Sequence, residues 1–216
     1  MHVLNRFINR EASSISSFRE ESYLLHEKVY ATLAILSMAL ALGASLLAGE
    51  APFILLFVIS LFGLLYNATL LPSGWRFQRL KDIPGSKNVF TATAWGAVTA
   101  GLPWIETGGA PTPGLAISFV FTAGIVFIRS ALSDILDIQS DRLIGRETLP
   151  VLIGEKRTLI LLQGISVLLF VPLLAAPPLG WTTSLSYVLL ATVFYIWICF
   201  RLYDRRSGFS GVVLEG

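Results

Sequence analysis

The sequence predicts an all-α fold, a polytopic transmembrane helical bundle of about six spans. Three observations carry this reading. The 216-residue chain is 54% hydrophobic and only 14% charged, more apolar surface than a soluble domain of this length can hide. Six stretches, 29–48, 51–71, 88–105, 114–132, 158–176 and 183–200, contain no run of charges and have the roughly 20-residue length that crosses a bilayer. All 16 Lys and Arg residues fall in alternate connections, counting Arg129 and Arg201 with the loops they adjoin.

Residues 1–28 form a polar N-terminal segment. It carries charges of both signs and lacks an apolar middle, so it is not a signal peptide. Ile15, Phe18, Leu25 and Val29 give its second half the pattern of a helix lying on the membrane surface. Residues 29–71 form a first hairpin turned at "AGEAP", 88–132 a second turned at "WIETGGAPTPG", and 158–200 a third turned at "APPLGWTT". These short connections are built from turn formers and join their spans as antiparallel neighbours. The remaining connections, 72–87, 133–157 and the tail 201–216, are polar and basic. By the positive-inside rule they face the cytoplasm, which predicts a multi-pass protein of the cell membrane with both termini cytoplasmic. Cys199 stands alone inside a span, which excludes a disulfide and leaves it a packing role; His2 and His26 are far apart, and no Cys/His metal cluster exists.

Chemistry concentrates in the 133–157 loop. Asp134, Asp137 and Asp141 are spaced i, i+3, i+7, which puts them on one face of a helix continuing out of the fourth span. A buried carboxylate costs up to about 2.5–3.5 kcal/mol on insertion scales, the figure for the centre of a span, so the retention of one close to the hydrocarbon needs a reason. Like charges on one face repel unless a cation sits among them, and carboxylates offer the hard oxygen ligands that Mg²⁺ takes together with water and phosphate oxygens. Arg142, Arg146, Lys156 and Arg157 follow within the same segment and suit phosphate. Two readings fit these residues: a solvated interfacial turn, or a Mg²⁺-diphosphate site.

A resemblance bears on the choice. "SDILDIQSDRLIGRETLPVLIGEKRT", residues 133–158, resembles the second aspartate motif of the UbiA family of intramembrane prenyltransferases, and "RFQRLKDIPGSKNVFTATAWG", residues 76–96, resembles the family's basic stretch leading into the next span. The two occur in the family's order, each after the expected number of spans, and the resemblance extends over nearly the whole chain. The resemblance implies a helical bundle, normally of nine spans, around a central cavity. It implies transfer of an isoprenoid chain from a prenyl diphosphate donor to a lipophilic, often aromatic, acceptor amid membrane lipid, with Mg²⁺ as cofactor and no nucleic-acid partner. Asp134, Asp137 and Asp141 are then the catalytic metal ligands, and Lys81, Lys87, Arg142 and Arg146 contact phosphate. Asn88 is either a helix-entry residue, the reading preferred, or a site residue; Tyr66 and Asn67, near the cytoplasmic end of the second span, either pack, again the reading preferred, or line the cavity.

The family's first motif, roughly N-D-x-x-D-R-x-x-D, has one counterpart here, "NRFINREAS" at residues 5–13. Asn5 and Arg10 keep register, Arg6 and Asn9 replace carboxylates, and Ser13 stands where another is expected. Amide oxygens still ligate Mg²⁺, which makes Asn5 and Asn9 candidate substrate-site residues. The six spans then correspond to the family's third through eighth, the pattern of a truncated or divergent member. The alternative is a catalytically inactive member serving as a membrane scaffold or partner subunit. A transporter fits less well, because the acids cluster at one interface and no charge marks the middle of a span.

Overall fold

The computed structural model describes residues 32–67 and 83–204, together with Val29 and Leu80. The described chain is a succession of helices: α1 (Thr32–Ala48), α2 (Glu50–Asn67), α3 (Ser86–Thr107), α4 (Pro113–Leu136), α5 (Ile138–Ile144), α6 (Leu149–Ile153), α7 (Glu155–Ala175), a 3-10 helix (Ser184–Leu189) and α8 (Leu190–Asp204). It divides inside α2 into two compact units, Met1–Phe53 and Ile54–Gly216. The described part of the first holds α1, which runs through Gly49 into α2: the Gly49 N–H donates to the Ser45 carbonyl at 3.1 Å and the Phe53 N–H to the Gly49 carbonyl at 3.3 Å.

Each expected apolar stretch contains a long helical segment, with ends that local chemistry explains. Gly108, at φ 60°, terminates α3, a backbone conformation that glycine adopts without a steric cost. Thr112 caps α4, its hydroxyl accepting from the Leu115 N–H at 3.3 Å, and Pro113 follows at the first helical position, where its missing N–H costs nothing. The last expected span opens as a 3-10 turn rather than an α-helix. Its Ser186 hydroxyl, 2.9 Å from the Thr182 hydroxyl, donates to the Thr183 carbonyl at 2.7 Å, local bonds that compete with α-helical pairing.

Among the described residues, three helical segments have the length and hydropathy to cross a membrane: Pro113–Leu136, Glu155–Ala175 and Ser184–Tyr203. Thr32–Ala48 and Glu50–Tyr66 are apolar but shorter. Helix α3 has 22 residues but spends several of them on Thr, Gly and Ser, because it faces a polar site at one end and packs closely along its length.

The second unit is organised around α4, which packs on α3, α7 and the short α5 and α6. Ala92, Gly96 and Ala100 form a buried stripe of small residues on α3, the pattern that lets membrane helices approach closely. A Cβ on Gly96 would lie 3.0 Å from the Phe119 carbonyl oxygen. On its opposite side α4 supplies Ile128, Ala131, Leu132 and Ile135 to a core completed by Leu162 and Leu169 of α7 and Ile196 and Phe200 of α8. Helices α7 and α8 also share a polar link: the Trp197 indole N–H donates to the Ser166 hydroxyl at 2.8 Å, and that hydroxyl donates to the Gln163 carbonyl at 2.7 Å. Phe170 and Phe194 pack around the same indole. The rigid α3–α4 pair is what fixes the residues described next.

Candidate active site

The polar end of the α3–α4 pair opens on a cavity of about 830 Å³. Asp134, Asp137, Asp141, Lys87 and Arg146, all expected at a site, line it together. Arg142 is exposed on α5 and is not among the lining residues. Asn5, Asn9 and Lys81 lie outside the described residues, as does the side chain of Asn67.

The helix expected to run straight through the aspartates instead breaks at the middle one. Asp137 sits at φ −91°, ψ 6° between α4 and α5, in the bridge region between helix and strand. Hydrogen bonding continues across the break: the Asp137 N–H donates to the Ser133 carbonyl at 3.0 Å and the Asp141 N–H to the Asp137 carbonyl at 2.9 Å. The kink therefore keeps the i, i+3, i+7 face turned toward one cavity. It also sets three environments, since Asp134 is 7% and Asp141 5% accessible while Asp137 is exposed. The segment expected to be a loop, 133–157, is mostly helical, comprising the end of α4, α5, α6 and the start of α7.

Buried carboxylates need partners, and each has a different kind. The Asn88 Nδ2 donates to Asp134 Oδ2 at 2.7 Å. Lys87 Nζ stands 3.9 Å from Asp134 Oδ1, with its side chain 72% accessible. At that distance and exposure the ion pair contributes little to stability, which leaves the ammonium available to a ligand. Arg146 is likewise 3.9 Å from Asp141 Oδ1 and largely exposed. The two cations flank the carboxylates without neutralising them by direct contact.

Two residues whose role the sequence left open lie at the cavity, together with others that the sequence did not single out. Asn88, for which helix entry was preferred over a site role, is fully buried beside Asp134, accepting from the Ser130 hydroxyl at 2.6 Å as well as donating to Asp134. Tyr66, expected to pack, lines the cavity, with its hydroxyl 3.0 Å from that of Ser86. Ser130 precedes Asp134 by one helical turn, a polar residue on the same face of an apolar span, and that register was a readable signal. Glu147 and Thr148 complete the far wall; the Thr148 hydroxyl is buried with no hydrogen-bond partner among the described residues.

A second cavity, about 510 Å³, lies against α2 and α3. Ile59, Phe62, Phe90, Ala94 and Trp95 make it apolar, and Tyr66 and Lys87 line it as well as the polar cavity. The Tyr66 and Phe90 rings, with centroids 5.0 Å apart, stand where the two meet.

Among the described residues, no three Asp, Glu, His or Cys side chains converge as a closed set of metal ligands. The donor set nevertheless suits Mg²⁺, which uses one or two protein carboxylates and fills its remaining positions with water and phosphate oxygens.

Comparison with known proteins agrees with this architecture. A model of the UbiA prenyltransferase family matches residues 22–210. Over 89 residues the chain is 36% identical to a Pyrococcus furiosus protein named digeranylgeranylglyceryl phosphate synthase, a match covering 41% of this chain and 30% of that protein. The chain thus aligns with less than a third of that relative's length. No solved structure matches it.

Proposed function

The chain belongs to the UbiA prenyltransferase family, and from that premise we propose that it transfers an isoprenoid chain from a prenyl diphosphate to a lipophilic acceptor within the membrane, using Mg²⁺ at Asp134, Asp137 and Asp141. The observation that carries the reading is the pairing of a carboxylate-lined polar cavity with an apolar one, joined at Tyr66 and Lys87. A donor with an anionic head and a hydrocarbon tail matches that pair. Neither half alone singles out such a molecule.

Bound Mg²⁺ would supply charge neutralisation for the departing diphosphate. Lys87 and Arg146 supplement it from the cavity rim, where charge-assisted hydrogen bonds hold phosphate oxygens. In the transfer itself the donor's C1–O bond breaks and its electron pair leaves with diphosphate. An acceptor hydroxyl or carbon bonds to C1 and loses its proton. Tyr66 and Phe90 place aromatic surface at the junction of the cavities, shielding the reacting carbon from water.

The relative's name speaks for a glyceryl phosphate lipid as acceptor, a class that suits both a basic rim and a membrane location. The test is purified protein in liposomes with a radiolabelled prenyl diphosphate, offered either a prenylglyceryl phosphate or a hydroxybenzoate, in Mg²⁺ or EDTA. The expected result is a labelled lipid formed from the glyceryl phosphate in Mg²⁺ alone. A folded protein that labels neither acceptor would refute the proposal and favour the inactive-scaffold alternative, which the depleted carboxylates of residues 5–13 already recommend.

A further inference from the structure

We propose that Asn88, held by Ser130, is a positioning residue that fixes the carboxylate of Asp134 so that one oxygen is tied back and the other is presented to the cavity. This rests on the Mg²⁺-diphosphate reading and deepens it. Asn88 has no accessible surface, although an amide in an apolar helix pair is costly to bury. Helix initiation does not explain it. The start of α3 has no side-chain cap, and the Asn88 backbone N–H is already satisfied by the Gly85 carbonyl at 3.1 Å.

The amide's two ends are instead both used across the helix interface. Its oxygen accepts from Ser130 Oγ at 2.6 Å, and its nitrogen donates to Asp134 Oδ2 at 2.7 Å. The carboxylate determines which way the amide points, since it only accepts and so must face the amide nitrogen; the amide oxygen is thereby turned to the Ser130 hydroxyl, which donates to it. A chain Ser130, Asn88, Asp134 results, with each member orienting the next. With Oδ2 occupied, Asp134 Oδ1 is the oxygen on the side of Lys87. Of the three aspartates it is thus Asp134 that is pre-oriented, by a hydrogen-bonded chain anchored on both α3 and α4. Partners behind a metal ligand typically govern 10- to 100-fold in metal affinity or activity.

The decisive experiment measures Mn²⁺ binding by electron paramagnetic resonance in detergent-solubilised protein, with inorganic diphosphate present. It compares wild type, Asn88→Leu and Ser130→Ala, and records each unfolding temperature. Leucine keeps comparable volume while abolishing both bonds, and alanine at 130 leaves the amide in place but anchored only through Asp134. The expected result is Mn²⁺ affinity at least about 10-fold weaker in Asn88→Leu, and weaker by a smaller factor in Ser130→Ala with its unfolding temperature unchanged. A purely structural role would lower unfolding temperatures without moving Mn²⁺ affinity, and that outcome overturns the proposal. Should Asn88→Leu fail to fold, unaltered affinity in Ser130→Ala overturns it alone. Absence of Mn²⁺ binding by wild type would instead overturn the metal reading, and the positioning role with it.

Discussion

Replacing Gly96 tests whether close approach of α3 and α4 sets the site. An added Cβ would lie 3.0 Å from the Phe119 carbonyl oxygen, 3.1 Å from Phe119 Cδ2 and 3.2 Å from Ala123 Cβ. The ring can rotate, but the carbonyl belongs to the α4 backbone and yields only if the helices part by a few tenths of an ångström. For Gly96→Ala the overpacking is offset by a gain of up to about 1 kcal/mol in helix propensity, so the net change is small. Gly96→Val adds two methyl groups, lacks most of that propensity gain and should lose about 1–3 kcal/mol to overpacking. Gly96 lies eight residues from Asn88 on the same helix, about 12 Å at 1.5 Å per residue. Separation there stretches the 2.7 Å Asn88–Asp134 bond, and misplacement on the scale of 1 Å costs about 10²-fold in rate. The assay pairs thermal unfolding in detergent with Mg²⁺-dependent diphosphate release. Gly164→Ala on α7, where an added Cβ meets nothing within 4 Å, is the control and should be neutral or slightly stabilising. Valine at 96 that unfolds with wild type and retains full turnover would refute the claim that this contact holds the site.

Other perturbations separate binding from stability. Lys87→Ala should raise the KM for prenyl diphosphate about 10-fold, the effect of losing roughly 1.4 kcal/mol of binding, while its unfolding temperature stays close to wild type because the side chain is exposed. Steady-state kinetics over a donor series checks this, and an unchanged KM would remove Lys87 from the donor site. Trp197→Phe retains the ring packing but loses the bond to Ser166, so stability should fall by about 0.6 kcal/mol, and at most roughly 1.7, with KM unaltered. Gly145 adopts φ 73° at the end of α5, so Gly145→Val should cost at least about 1–2 kcal/mol and lower turnover by displacing Arg146, read by unfolding and activity together.

Much of this architecture was legible in the sequence, for identifiable reasons. Burial in lipid leaves a long-range hydropathy signal, so every apolar stretch found its helix. The i, i+3, i+7 register of Asp134, Asp137 and Asp141 places them on one helix face, and the three line one cavity in the structure because the kinked helix preserves that register. The kink itself was hidden: Leu136-Asp137-Ile138 contains no Pro or Gly, and only the bridge-region backbone at Asp137 reveals it. The sequence left Asn88 open between helix entry and a site role, because residues near a helix start usually serve the backbone there, whereas its partners, Ser130 and Asp134, are 42 and 46 positions away. Tyr66 was likewise ambiguous, since an aromatic near a span end packs and lines a cavity with the same sequence signature. Local pattern identified the element that bears each group. Pairing between elements decided which groups met.

Diphosphate release from an allylic prenyl diphosphate tests the central claim most directly. It should be measured for wild type in Mg²⁺ and in EDTA, and for the double variant Asp134→Ala with Asp137→Ala in Mg²⁺. The account predicts release by wild type in Mg²⁺ only, and a loss of at least about 10²-fold in the variant, the scale of removing a group that stabilises transition-state charge. Release that survives EDTA or the loss of both carboxylates would contradict it, and so would no release from a wild-type protein that is folded and stable in detergent.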